Sequence, residues 1–340
     1  MRLGAIDERA HSHTMNIPPK RSTVFVVAIH HLKLPERLGI GFQILPGLLI
    51  TNEFREIERN FDPAFFKVIG DLESQGLRKA DAVAYTLGDP VHLQQSKVTG
   101  DQFVILAAQH IAVLLHCLWL IKDHSAYTEL GFIQIPHGNQ IVVHSNFLGS
   151  SITNAAGQRS TTAFSVEEMK RTTDFVVKTL PLLKYDFRMK QNPSTSTLGS
   201  QRGARRVSRA IYFTSVARGA SDLGMKVVNY CTVLETLFST DASELTHKVS
   251  QRVAVFMGGT VDEKLAIYQL VNKSYGIRSK VVHGDSIADD AIDKVESLSV
   301  ELDGLVRTIL TKIISSEEIA KHFDSNKEEL NRTFLRASFS

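Results

Sequence analysis

Cysteine is scarce. Cys117 and Cys231 are the two in 340 residues, each alone in a stretch of helical pattern with no second thiol nearby. That excludes a disulfide framework or a cysteine-held zinc cluster, and it fits a reducing cytoplasm, where the chain is expected to reside. Metal spacing is missing among the histidines too. His11, His13, His30 and His31 align with no carboxylates at helical intervals and read as tail or strand-end residues. No G-x-x-x-x-G-K-[ST] loop is present. The stretch "LGIGFQILPG" has neither the spacing nor the strand-to-helix setting of a dinucleotide fingerprint. No nucleophile motif surrounds Ser160, and no cofactor is expected. An excess of one charge sign is also lacking. At a net +3 the composition neither demands nor excludes a polyanionic partner, so the placement of the basic residues matters more than their sum.

The first twenty residues mix both charge signs without an apolar segment, which predicts a flexible tail over 1–20 rather than a secretory leader. One apolar run, residues 103–122, approaches membrane-spanning length. Gln109, His110 and His116 fall near its middle, where lipid penalises them, so it reads as a buried helix and no membrane partner is expected.

Residues 21–183 read as an α+β domain of unknown role. "STVFVVAI" and "GLLITN" have strand length and β-branched content; "GFIQIP" and "NQIVVHS" read as two strands joined at His137, Gly138 and Asn139. Helices are expected at 62–78, 101–122 and 166–183, the last interrupted or ended by Pro181. Residues 184–204 are rich in Ser, Thr, Gly and Pro without a hydrophobic period, a linker. Between Lys184 and Arg218 eight basic residues face one acid, Asp186, with Tyr185, Phe187 and Tyr212 among them. Such a segment suits a phosphate backbone and unpaired bases, through Arg202, Arg205, Arg206 and Arg209; it equally suits a solvated linker and helix face.

From 205 to 318 the pattern is helical throughout. Val227, Tyr230, Cys231, Leu234, Leu237 and Phe238 recur at three and four, as do Leu245, Val249, Val253 and Phe256. Asp241 with Glu244, and Thr260 with Glu263, have the spacing of capping boxes. The third helix runs through Ile267, Leu270 and Val271 toward "YGIRSKVVHG", and Leu298, Leu302, Leu305, Ile309 and Ile313 mark a fourth, to about residue 316. Short connections predict an antiparallel four-helix bundle, followed by a tail over 319–340.

"YGIRSKVVHG" places Arg278 and His283 five positions apart. Composition alone produces that spacing about once in a chain of this length. Its surroundings are more specific: Glu235 with Leu237, then Glu244, Lys248, Arg252 and Ala254, then Tyr275, Arg278, Ser279, His283 and Gly284. In that order they resemble the Apea-like branch of the HEPN superfamily, over roughly 205–316. The resemblance implies a four-helix bundle, often dimeric. In many members it is a metal-independent ribonuclease of toxin, tRNA-cleaving or anti-phage systems, in which the Arg and His are catalytic across a dimer cleft. Other members are non-catalytic binding or dimerisation modules.

The chemistry fits the residue types. Attack by an RNA 2′-OH needs a base, an acid for the 5′-oxygen and positive charge on the phosphate, which an imidazole and a guanidinium supply without metal. Asp285 is placed to orient His283, Lys280 to attract phosphate, and Glu235 to pair with either Arg278 or Arg252. On an ideal helix five positions turn about 140° and rise about 7.5 Å, so Arg278 and His283 do not share a face. Convergence therefore needs a broken helix end at Gly284 or a second protomer. Expected partners are RNA, a second copy of the chain, and a protein trigger or inhibitor on the N-terminal domain. The competing expectation is ordinary bundle stabilisation by Arg278 and Glu235, with the bundle as a binding module.

Overall fold

A computed structural model describes residues 22–88, 98–147, 152–183, 205–241, 243–285 and 292–339. The expected N-terminal tail, the linker over 184–204 and Arg202 lie outside the described residues. The protein is α+β. Strands β1 (Thr23–His30), β3 (Phe42–Leu45), β4 (Leu48–Thr51), β5 (Ala82–Gly88), β6 (Tyr127–His137) and β7 (Gln140–Phe147) form an antiparallel sheet ordered β3-β4-β5-β1-β6-β7. Gly138, at φ 60°, turns β6 into β7 where the sequence places a hairpin. Strands β2 (Leu32–Lys33) and β8 (Thr162–Ala163) form a short parallel pair.

β1 is central and buried on both faces, and its alternation decides what packs where. Val24, Val26 and Ala28 face α1 (Phe54–Glu58), α2 (Pro63–Ile69) and α3 (Asp71–Lys79), meeting Phe54, Phe61, Phe65 and Leu77. The single helix expected at 62–78 is two, because Gly70 turns to φ 92° between α2 and α3. Phe25, Val27 and Ile29 face the opposite way, toward α4 (Gly100–Ile121) and α5 (Val166–Leu183). Among the described residues α4 is the one helix long and apolar enough to cross a membrane. Its residues Val113 to Leu120 are all buried in the core. α5 absorbs Pro181 within its last turn.

The C-terminal half comprises α6 (Arg206–Gly219), α7 (Leu223–Phe238), α8 (Leu245–Met257), α9 (Val261–His283) and α10 (Ile292–Ser315), with α7 packed against the other four. Thr260 and Glu263 make both bonds of the expected capping box. Asp241 and Glu244 do not. Glu244 takes a left-handed conformation at φ 50° with no side-chain cap, and Asp241 instead accepts from Ser243 N–H and Lys248. The expected tail is also structured: α11 (Glu317–Phe323) and α12 (Lys327–Ser338) bring Phe323 and Phe334 onto Phe238 and Phe256, ring centroids 5.3 to 6.1 Å apart.

One apolar cluster runs from the sheet through α4 and α5 into the helices beyond, so the core does not divide at the expected linker. Inside it lies a polar seam absent from the sequence reading. Asp303, wholly buried on α10, accepts from Trp119 Nε1 on α4 at 2.9 Å, Tyr230 OH on α7 at 2.5 Å and Arg307 Nη2 at 2.6 Å. Arg218 donates to His124 O at 2.8 Å, and Lys226 Nζ reaches Ala217 O at 3.3 Å. The His124 ring accepts from Ala126 N–H at Nδ1 and meets Leu115 O at Nε2, the pattern of the neutral Nε2–H tautomer.

Two histidines in this seam are neutral in the folded chain. Burial, then the Arg218 charge, pushes His116 down to about 3 and holds His124 well below the usual imidazole range. The unfolded chain therefore binds more protons below about pH 6.5, and stability falls as pH drops from there toward the folded values. His116 alone removes about 2 kcal/mol between about pH 6.5 and pH 5. Urea midpoints should fall steeply between about pH 6.5 and pH 5, and His116→Phe should flatten the dependence. A pH-independent midpoint would overturn this account.

Candidate active site

α9 carries Tyr275, Arg278, Ser279, Lys280 and His283, and it is helical from Val261 through His283. Gly284 follows at φ 82°, with Asp285 N–H bonded to Lys280 O at 2.9 Å and Gly284 N–H to Val281 O at 3.3 Å. That pairing is a Schellman ending. It stops the helix directly after His283 without distorting the turn before it, so a broken helix end does not bring Arg278 and His283 together. Among the described residues a Cβ on Gly284 would meet no atom within 4 Å, so the cost of Gly284→Ala comes from its backbone strain. A loss of about 1 kcal/mol is expected, read as a lower thermal midpoint; a larger loss would mean that the terminal turn holds more than itself.

Arg278 points inward, across to α7. Its Nη2 lies 3.1 Å from Glu235 Oε1, the side chains being 31% and 19% exposed. Its guanidinium carbon lies 5.7 Å from the ring centroid of Tyr275, one turn back on α9. Burial raises the Glu235 carboxyl above its usual range against the pull of the Arg278 charge. Burial and then the Glu235 charge raise the Tyr275 hydroxyl. Tyr275 therefore serves as a neutral wall beneath a guanidinium that keeps one edge toward solvent.

His283 is exposed on the last turn, as are Ser279, Lys280 and Asp285. Lys280 lines an open groove between α9 and α10 of about 900 Å³. No bond joins Asp285 to His283. At about 100° per residue His283 shares the solvent side of α9 with Val261, Leu265, Asn272 and Gly276, all exposed, whereas Arg278 lies on another side.

The choice left open for Glu235 is resolved. Arg252 is occupied elsewhere, donating to Phe238 O at 2.7 Å, Thr240 Oγ1 at 3.1 Å and Asn331 Oδ1. It ties α8 to the end of α7 and to α12, and leaves Glu235 to Arg278. Of the basic residues, Arg205 pairs with Asp324 at 3.6 Å, and Arg206 Nη1 closes the C-terminal end of α7 through Thr236 O and Ser239 O. Arg206 and Arg209 line a cavity that Glu235 also borders. Lys327, assigned to a tail by sequence, lies on its rim; the Asn326 N-cap and the acidic turn behind it were the signal.

No family model, curated protein or solved structure matches this chain. A functional reading therefore rests on these residues and on the motif order they came from.

Proposed function

We propose that the chain is a metal-independent endoribonuclease with an HEPN-like four-helix bundle, a cytoplasmic toxin or anti-phage effector. The observation that carries the reading is the division of labour on α9. Arg278 is held by Glu235 and Tyr275 with an edge exposed, while His283 stands unobstructed on the terminal turn five residues later. Because these two side chains leave the helix on different sides, a complete site draws Arg278 and His283 from two protomers. The exposed Val261 and Leu265, on the side of α9 that bears His283, give a second copy apolar surface to cover.

In that assembly His283 of one protomer takes the proton from the RNA 2′-OH and delivers it to the departing 5′-oxygen. Arg278 steadies the phosphate oxygens as negative charge grows. The products are a 2′,3′-cyclic phosphate and a 5′-OH. The sheet half, fused to the bundle by one core, serves as the surface on which a protein trigger or inhibitor acts.

A second reading has an observation in its favour: the Arg278–Glu235 pair is also an ordinary fastener between helices, as a non-catalytic binding and dimerisation module would have. The test is incubation of the full chain with cellular RNA in excess chelator, assaying cyclic phosphate ends beside His283→Ala. Cleavage that disappears with His283 supports the enzyme. Equal cleavage by both proteins, or none by either at any RNA concentration, supports the module.

A further inference from the structure

The cavity between α6, α7 and α12 has a volume of about 460 Å³ and an unbalanced charge. Arg206, Arg209 and Lys327 line it, as do the carboxylates of Glu235 and Asp241. Both carboxylates are already taken from outside the trio: Glu235 by Arg278 at 3.1 Å, Asp241 by Lys248 at 2.9 Å. Asp324, behind the start of α6, is held by Arg205 and by Val207 N–H at 3.3 Å. The cavity cations receive no such partner. Arg206 bonds neutral carbonyls, Thr236 O at 3.0 Å and Ser239 O at 2.8 Å; Arg209 keeps a buried Nε without an acceptor. Among the described residues no carboxylate lies within ion-pair distance of Arg206, Arg209 or Lys327. The guanidiniums also repel one another. After burial, the neighbouring Arg209 charge makes Arg206 easier to deprotonate than a free arginine; the Asp324 charge opposes this, and Arg252 adds to it.

Three cations around an open cavity, none of them ion-paired to a carboxylate, form an anion site, and planar guanidiniums favour phosphate oxygens. We propose that this cavity binds a backbone phosphate of single-stranded RNA, flanking the Arg278 site through their shared neighbour Glu235. The proposal takes the identity of the polyanion from the ribonuclease reading; the cavity itself does not depend on catalysis. A phosphate held here extends the contact from α9 to α6 and α12, and gives Arg206 and Arg209, in the later part of the basic segment, a defined role. Arg206 has a second, structural duty at the end of α7, so the cleanest variants are Arg209→Gln and Lys327→Gln, which disturb no hydrogen bond described here.

The experiment measures binding of a labelled single strand of about 12 nucleotides to the full chain in a His283→Ala background, across a salt series. The Arg209→Gln/Lys327→Gln double variant should bind at least about 10-fold more weakly, and its log–log salt slope should fall by about 1.4, about 0.7 for each lost phosphate contact. Unchanged affinity and slope, with an unchanged thermal midpoint, would overturn the proposal. ADP and inorganic phosphate form parallel arms. If ADP binding is lost in the double variant while RNA binding is not, the cavity is a free-nucleotide site and the proposal fails. The two readings part cleanly. Loss of RNA binding in a chain that never cleaves RNA upholds the subsite and sinks the enzyme; full-strength cleavage by the double variant with unchanged KM does the reverse.

Discussion

Asp303→Ala is expected to cost about 3–5 kcal/mol, a large part of a domain's total stability. The wild-type carboxylate is wholly buried and accepts from Trp119, Tyr230 and Arg307, three donors on three helices. Alanine removes every one of those acceptors at once. An indole N–H and a phenol O–H then stay buried without partners, Arg307 loses its ion-pair partner, and Arg218 loses one of its nearby counter-charges. Lys226, which burial and the Arg218 charge push down to about 8, would be pushed further. Asp303→Asn keeps the shape and one acceptor but not the charge, and should fall between the two. Urea titration followed by tryptophan fluorescence reads both quantities, since Trp119 is the chain's one tryptophan and sits in the seam. A loss under about 1 kcal/mol for Asp303→Ala would show that the seam contributes shape rather than charge pairing.

His283→Ala is expected to lower RNA cleavage by about 10²–10⁴-fold, the range a positioned acid or base supplies, with little change in stability because the side chain is exposed. Arg278→Ala should lose about 10²–10³-fold, together with about 1 kcal/mol of stability from the broken pair with Glu235. Arg278→Lys should not restore the rate, since an ammonium cannot present two parallel donors to a phosphate. Mixing the two inactive alanine variants tests the shared site. A site built from two protomers recovers activity in the mixture that neither variant shows alone; continued inactivity after subunit exchange would place both groups in one chain. If Arg278→Ala loses stability while cleavage persists, the pair with Glu235 is a fastener only.

The parts of this fold that were legible are those written in adjacent residues. The β-branched and aliphatic run in "STVFVVAI" marks a strand, Thr260 and Glu263 close their capping box, and Gly284 ends α9 where its lack of a Cβ permits φ 82°. The failures have local causes as well. Gly70 splits what reads as one helix, and Glu244 adopts a left-handed backbone that its side chain does not cap. The C-terminal helices are short and charge-rich, so their few buried residues, among them Phe323, Leu330 and Phe334, make a weak period. Nothing local could have announced the polar seam: Trp119 and Asp303 are 184 residues apart. Its single hint is an aspartate between Leu302 and Leu305 on an apolar face. For the candidate site, the order of residues along α7 and α9 was readable, but Glu235's choice of Arg278 over Arg252 was not, because Asn331 and Thr240 claim Arg252 from outside the motif.

The seam also sets when the protein can finish folding during its synthesis. Trp119, Arg218 and Tyr230 leave the ribosome well before Asp303, so the sheet half cannot settle its central helix until α10 has emerged. Arg278 and His283 are made before that point, on a scaffold still missing its buried carboxylate. Every nascent chain therefore carries its candidate reactive groups through a loosely packed stage, and the middle turns of α10, which bear Asp303, lock both halves together.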